Sequence, residues 1–236
     1  MNLQIDVISD VVCPWCFIGK RRLEQALRQF QPPDSDLSID VRWRPFQLNP
    51  DLPASGMGRA EYLRRKFGAN ARDIYSRVSQ AGRSVGIEFA FETIARQPNT
   101  VDAHQLIWLA GQELRQDAMV ETLFQAYFLE GADLTDRGVL LQLAMRAGLP
   151  ALAAQNCLTD QSARQAVSGE ERMARDLGVQ GVPFFVFNRR FAVSGAQEPA
   201  VLLRAIETVS RGESVAAERL RLGAHSHRRG VWKRSA

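Results

Sequence analysis

Residues Ser9 to Gly19 read SDVVCPWCFIG, which sets Cys13 and Cys16 one helical turn apart with only Pro14 and Trp15 between them. Such a pair serves as a metal clip, a structural staple or a redox couple, and the flanking residues decide among the three. Upstream, Leu3, Ile5 and Val7 lead into Ile8 as a short β-rich run, the pattern of a buried strand. Downstream, Leu23, Ala26, Leu27 and Phe30 recur at helical spacing until Pro32 and Pro33 stop the pattern. Then LSIDVRWR alternates, with Leu37, Ile39, Val41 and Trp43 on one face and polar residues on the other. Strand, helix and strand at this spacing form a βαβ unit, so the two strands are expected to be parallel, joined by a right-handed crossover.

A zinc clip needs two further ligands at suitable spacing. The available side chains are Cys157, His104, His225 and His227, and none completes a second CxxC or a His-x3–5-His pair. The site is therefore expected to hold no metal. A static staple is disfavoured by composition: 236 residues, 45% of them hydrophobic, supply a core without help from three cysteines. The redox use has a mechanism. The pair follows a strand and opens a helix, with Pro14 suited to the first helical turn. Cys13 then sits at the positive end of the helix dipole, which favours thiolate over thiol. Cys16, one turn later on the same face and less exposed, is placed to close a disulfide with it. Cys13 is expected to be the nucleophile and Cys16 the resolving thiol.

Farther along, PFQLNPDLPASGMG is a Pro/Gly-rich loop, and about a hundred residues of helical pattern follow it. Ile74, Val78, Ala81 and Val85 mark one helix, and Leu106, Leu109, Ala110 and Glu113 another; further rows run from Leu123 to Leu129 and from Val139 to Met145. Ile87 to Phe91 alternates briefly as a strand or extended segment would. Strand character returns in VPFFVFNRRFAVSG, where two β-rich runs flank Asn188, Arg189 and Arg190 as an antiparallel hairpin. A last helix from Pro199 to about Arg211 carries Val201, Leu202, Ala205, Ile206 and Val209. Pro183, preceded by Val182, opens the first hairpin strand. A cis bond there would set the Val182 backbone beside the cysteines, ready to pair with an extended polypeptide.

The formal charge of +4 is unevenly placed: residues from Ser214 onward carry +5, which leaves −1 for the rest. The body has no field to concentrate nucleic acid, and 213–236 is expected to be a basic, flexible tail. No stretch reaches the roughly 18 apolar residues of a membrane span, and MNLQIDVISD lacks the pattern of a secretory signal. The expected location is the cytoplasm, with neither nucleic acid nor membrane as partner.

The pieces SDVVCPWCFIGKRRLE, WRPFQLNP, PNTVDAH, GVQGVPFFVFN and VSGAQ, in this order from residue 9 to 197, resemble the DsbA-type branch of the thioredoxin superfamily, and more narrowly its FrnE-like cytoplasmic members. The resemblance implies an α/β, thioredoxin-like fold around a central mixed sheet with an inserted all-helical domain. It divides the chain into a discontinuous thioredoxin-like domain (1–58 and 169–212) and a helical insertion (59–168). It implies a dithiol–disulfide oxidoreductase or isomerase, with Cys13 and Cys16 as the redox pair and Pro183 as the cis-proline. No cofactor beyond the redox-active disulfide is implied. The partner is a disulfide- or thiol-containing protein, or glutathione as co-substrate, and monomer and homodimer both stay open.

Pro14 and Trp15 would tune the couple and touch substrate, as would Val182 and Pro183. His104 follows PNT, in which Asn99 or Thr100 suits an N-cap. A structural or solvent-facing histidine explains it on the residues alone; the resemblance, which turns this segment toward the cleft, adds contact with substrate or the Cys13 thiolate. Cys157 reads as a plain, partly buried thiol near a helix end. Phe46, Phe184, Phe185 and Phe187 suit either an apolar groove or the core. Kappa-class glutathione transferases and 2-hydroxychromene-2-carboxylate isomerases are similar in architecture but typically carry serine at the first active position. A glutathione-dependent transferase or isomerase is thus the second reading, and a chaperone-like binder of unfolded protein the third.

Overall fold

The structure, a computed structural model, describes residues 2–32 and 37–211. Pro33 and the basic segment 213–236 lie outside the described residues.

The βαβ unit forms as its periodicity requires. Strand β1 (Asn2–Ser9) leads through a turn to helix α1 (Pro14–Gln29), which returns to β2 (Ser38–Pro45), parallel to β1 with Ile5 opposite Val41 and Val7 opposite Trp43. The hairpin β5 (Phe184–Phe187) and β6 (Phe191–Ser194) adds to the other edge of β1, antiparallel, with Val7 opposite Phe185 and Ile8 opposite Phe184. The mixed sheet runs β2-β1-β5-β6. At the hairpin tip, Asn188 and Arg189 take left-handed φ of 47° and 57°, and Arg190 N–H closes the turn on Phe187 O at 3.0 Å.

Alternation sorts the sheet's two faces. Leu3, Ile5, Val7, Phe185 and Phe187 face the main core, which α1 and α9 (Pro199–Ser210) help to form. Ile8 and the half-buried Phe184 and Val186 face a smaller cluster closed by Phe46, Ala174 and Val179. Ala174 belongs to α8 (Gln161–Asp176), so helices cover both sides of the sheet.

Between β2 and β5 lie β3 (Met57–Gly58), α2 (Arg59–Phe67), α3 (Ala71–Arg83), β4 (Arg96–Gln97), α4 (Val101–Gln112), α5 (Gln116–Phe128), α6 (Arg137–Arg146), α7 (Ala151–Thr159) and α8. The two short strands pair with each other as a separate ribbon. The extended segment expected at 87–91 forms no strand; Phe89 and Phe91 stack at 4.7 Å, and the pairing falls at Arg96–Gln97 instead. A ribbon two residues long has too few positions to show a period of two.

The expected boundary at 168/169 falls inside α8, which continues unbroken to Asp176. The two expected domain spans also share one apolar core. Phe17 of α1, fully buried, stacks on Phe124 at 5.1 Å and on Phe128 at 6.3 Å, both from α5.

Candidate active site

Chain geometry places the cysteines at the entry of α1. Cys13 is the N-cap residue, with extended φ and ψ of −96° and 109°, and Pro14 takes the first helical position without losing a hydrogen bond. The turn before it is closed by Cys13 N–H donating to Asp10 O at 3.0 Å, and Cys16 N–H donates to Cys13 O at 2.9 Å. Both cysteines are free thiols and both are buried, Cys16 the more completely at 1% exposed against 5%.

The loop before β5 comes to this point from the far end of the sequence. The Val182–Pro183 peptide is cis, and the Cys13 thiol donates to Val182 O at 3.5 Å. Pro183 O accepts from Gly195 N–H at 2.8 Å, and Arg22 of α1 holds the next turn through Ala196 O and an ion pair with Glu198 at 2.7 Å. On its inner side the proline ring lies against Gly19. A Cβ at that position would stand 2.9 Å from Pro183 Cγ and 3.2 Å from Phe185 Cζ, so only glycine lets α1 approach this closely.

The two thiols differ electrostatically. Burial foremost, and then the neighbouring Cys13 sulfur and its charge, push the Cys16 thiol well above its ordinary value; the nearby Ser9 side chain and Asp10 backbone oppose this. Cys16 is therefore the thiol of the pair that holds its proton more tightly than an ordinary cysteine.

Asp10, three residues ahead of Cys13, was given no role by the sequence. It is fully buried, and its Oδ2 accepts from Leu48 N–H at 2.7 Å. Glu171 of α8 accepts from the Gln47 backbone at 3.0 Å and from its amide at 2.9 Å, so two carboxylates clamp the FQLN segment beside the redox turn. A lone acid inside the apolar run IxxVV was the available signal. Lys66 and Tyr75, from α2 and α3, also lie within the field of Cys13. Burial lowers the Lys66 ammonium against the opposing Cys13 and Asp10 charges, and its Nζ donates to Tyr62 OH at 2.6 Å. Burial foremost raises the Tyr75 phenol, and the Cys13 charge adds to this. No motif marks these residues; they are single positions on two amphipathic helices.

Of the expected site residues, Cys13, Cys16, Pro14, Trp15, Val182 and Pro183 converge, with Pro14 and Trp15 partly exposed. His104 of α4 is 2% exposed and meets Asp10, its Nε2 lying 3.5 Å from Oδ1, so it presents no surface to a substrate. Asn99 Oδ1 accepts from Val101 N–H at 3.0 Å, which caps α4 one residue earlier than a Thr100 side chain would. Phe46, Phe185 and Phe187 are at most 2% exposed and belong to the core, which leaves Phe184 as the one half-buried member of the expected groove. Cys157 lies in α7, its thiol donating to Gln105 O at 3.3 Å. Among the described residues no group of three or more His, Cys, Asp and Glu is arranged to hold a metal, and no helix is long and apolar enough to cross a membrane.

Comparison with known proteins follows the same outline. In sequence the chain is 24% identical over 210 residues to the uncharacterised protein YwbO of Bacillus subtilis, spanning 87% of this chain and 96% of that one. In structure it matches a probable DsbA oxidoreductase of Streptomyces coelicolor with a TM-score of 0.80 and 32% identity, over 89% of this chain and 91% of that one. It shares its fold with the cytosolic disulfide reductase DsbM of Pseudomonas aeruginosa, solved with GSH, at a TM-score of 0.61 and 20% identity over 88% and 99% of the two chains. Residues 4–207 match the family model described as a DSBA-like thioredoxin domain, and the chain belongs to that family.

Proposed function

We propose that the protein is a dithiol–disulfide oxidoreductase or isomerase in which Cys13 is the nucleophile and Cys16 the resolving thiol. One observation carries this reading: two free thiols share the first turn of α1, and the Val182 carbonyl before the cis-proline lies 3.5 Å from Cys13 Sγ. Cys13 thiolate attacks one sulfur of a substrate disulfide, forming a mixed disulfide and releasing the other sulfur as thiolate. Cys16 then attacks Cys13 Sγ, which closes the Cys13–Cys16 disulfide and frees the second substrate thiolate. Run in reverse, the same steps oxidise a dithiol. The backbone of Val182 is the proposed docking edge for an extended substrate segment, with Trp15 and Pro14 beside it.

The proposed partners are protein disulfides or dithiols, with glutathione as the small-thiol co-substrate. A reducing, cytoplasmic setting goes with this, and the likeness to a cytosolic reductase solved with GSH supports both. The test is insulin reduction with dithiothreitol as donor. Cys13→Ser is expected to abolish catalysis, and Cys16→Ser to accumulate the mixed disulfide. Undiminished catalysis by Cys13→Ser refutes the assigned nucleophile. Glutathione conjugation surviving in that variant would favour a transferase or isomerase instead.

A further inference from the structure

Behind the redox turn three buried polar atoms stand together without a hydrogen-bond partner among the described residues: Asp10 Oδ1 and both ring nitrogens of His104. Buried polar groups are otherwise paired almost without exception, so a cluster of three needs a reason. His104 and Ser9 also line one cavity of about 10 Å³, room for about a single water, walled otherwise by apolar side chains such as Val11, Ile107 and Val120 and by Arg44. The Ser9 side chain is also near enough to the Cys16 sulfur to counter the rise of its thiol. A path of polar atoms thus leads from Cys16 through Ser9 and the cavity to His104, which faces the Asp10 carboxylate at 3.5 Å. Arg44 of β2, the other charged residue lining that cavity, has its guanidinium held by Asp6 at 2.8 Å and Glu170 at 3.2 Å.

We propose that the His104–Asp10 pair takes up the proton that Cys16 must lose when it resolves the mixed disulfide, reached through the Ser9 hydroxyl and one water in the cavity. The inference rests on the dithiol reading above. In the step, the Cys16 S–H bond breaks and its electron pair forms the bond to Cys13 Sγ. The bond from Cys13 to the substrate sulfur breaks, and the substrate leaves as thiolate with that pair. The proton comes to rest on His104 as imidazolium opposite the Asp10 carboxylate, and no outside oxidant is needed. His104 is a positioning residue in this scheme, since it acts on the sulfur through Ser9.

The test separates the two chemical steps. In a Cys157→Ser background, which leaves only the redox pair, excess dithiobis(nitrobenzoate) yields one thionitrobenzoate when Cys13 attacks and a second when Cys16 resolves. With His104 as acceptor, the second phase is expected to reach a plateau through the neutral range, because an acceptor for the proton is already in place. In His104→Gln the ratio of second-phase to first-phase rate should fall about tenfold or more at neutral pH. Its second phase should then climb about tenfold per pH unit, because Cys16 must ionise unaided. Asp10→Asn keeps the Leu48 hydrogen bond through its amide oxygen, and the same loss of plateau is expected there. Either folded variant retaining the wild-type ratio and plateau overturns the inference. An unsubstituted Cys13 that gives no first release refutes the dithiol reading itself, and the inference falls with it.

Discussion

Replacing Gly19 by alanine sets two local effects against each other, and the structure says which wins. Gly19 sits inside α1, where alanine is favoured over glycine by about 1 kcal/mol in helix propensity. Against this, the added Cβ would lie 2.9 Å from Pro183 Cγ, about 0.5 Å inside the 3.4 Å at which ordinary contact begins. The atom it meets belongs to a ring and cannot swing away. The proline is also tethered on both sides, by Gly195 to its carbonyl at 2.8 Å and by the Cys13 thiol to the preceding carbonyl at 3.5 Å. Overpacking of this kind costs about 1–3 kcal/mol, so the net destabilisation should be about 0–2 kcal/mol. The larger effect is expected on function, because the strain is relieved by moving α1 and the Val182–Pro183 loop apart, which opens the Cys13–Val182 contact. Urea unfolding measures the first quantity and insulin reduction the second; the turnover should drop by about tenfold, a shift of about 1.4 kcal/mol in the barrier. A Gly19→Ala protein that is about 1 kcal/mol more stable and fully active would show that propensity dominates and that the close approach is unimportant.

Phe17→Ala should destabilise the whole described fold by about 3–5 kcal/mol, because a fully buried ring stacked at 5.1 Å on Phe124 is lost from the core common to both halves. Tryptophan fluorescence and far-ultraviolet circular dichroism should still report one coincident urea transition; separate transitions, or a loss below about 1 kcal/mol, would contradict a shared core. Stability should also decline on the alkaline side. Cys157, buried and close to Asp160 and Asp102, has its thiol pushed up to about 11 from an ordinary 9.0, and Cys16 is shifted the same way. Between those values the unfolded chain has lost a proton that the native state retains, so the unfolded state binds fewer protons and stability falls as pH rises. Cys157→Ser removes this titration and should make the decline from pH 9 to pH 11 shallower by about 2–3 kcal/mol, at about 1.4 kcal/mol per pH unit; parallel stability curves for the two proteins would refute the assignment.

What the sequence made legible is what period and punctuation encode. Leu3, Ile5 and Val7 before the cysteines, and the alternation at 37–44, announce two parallel strands, and Val182-Pro183 before FFVF announces the returning loop. The division expected at 168/169 lies within α8, which keeps one helical period through Asp176, so nothing in the pattern marks where the helical block meets the sheet. Lys66 and Tyr75 were invisible for another reason: their reach to the Cys13 charge depends on how α2 and α3 dock, which no spacing within them records. Asp10 and Gly19 are different again. A buried acid between Ile8 and Val11, and a glycine inside a helical row, are each unfavourable where they stand, the glycine by about 1 kcal/mol and the buried polar group by more. A chain that carries such residues must recover the cost in contacts made elsewhere in the fold. Those contacts are with Leu48 for Asp10 and with Pro183 for Gly19, both from segments that close on the CPWC turn. Local misfits of this sort, beside a strong motif, locate the parts of a site that no motif names.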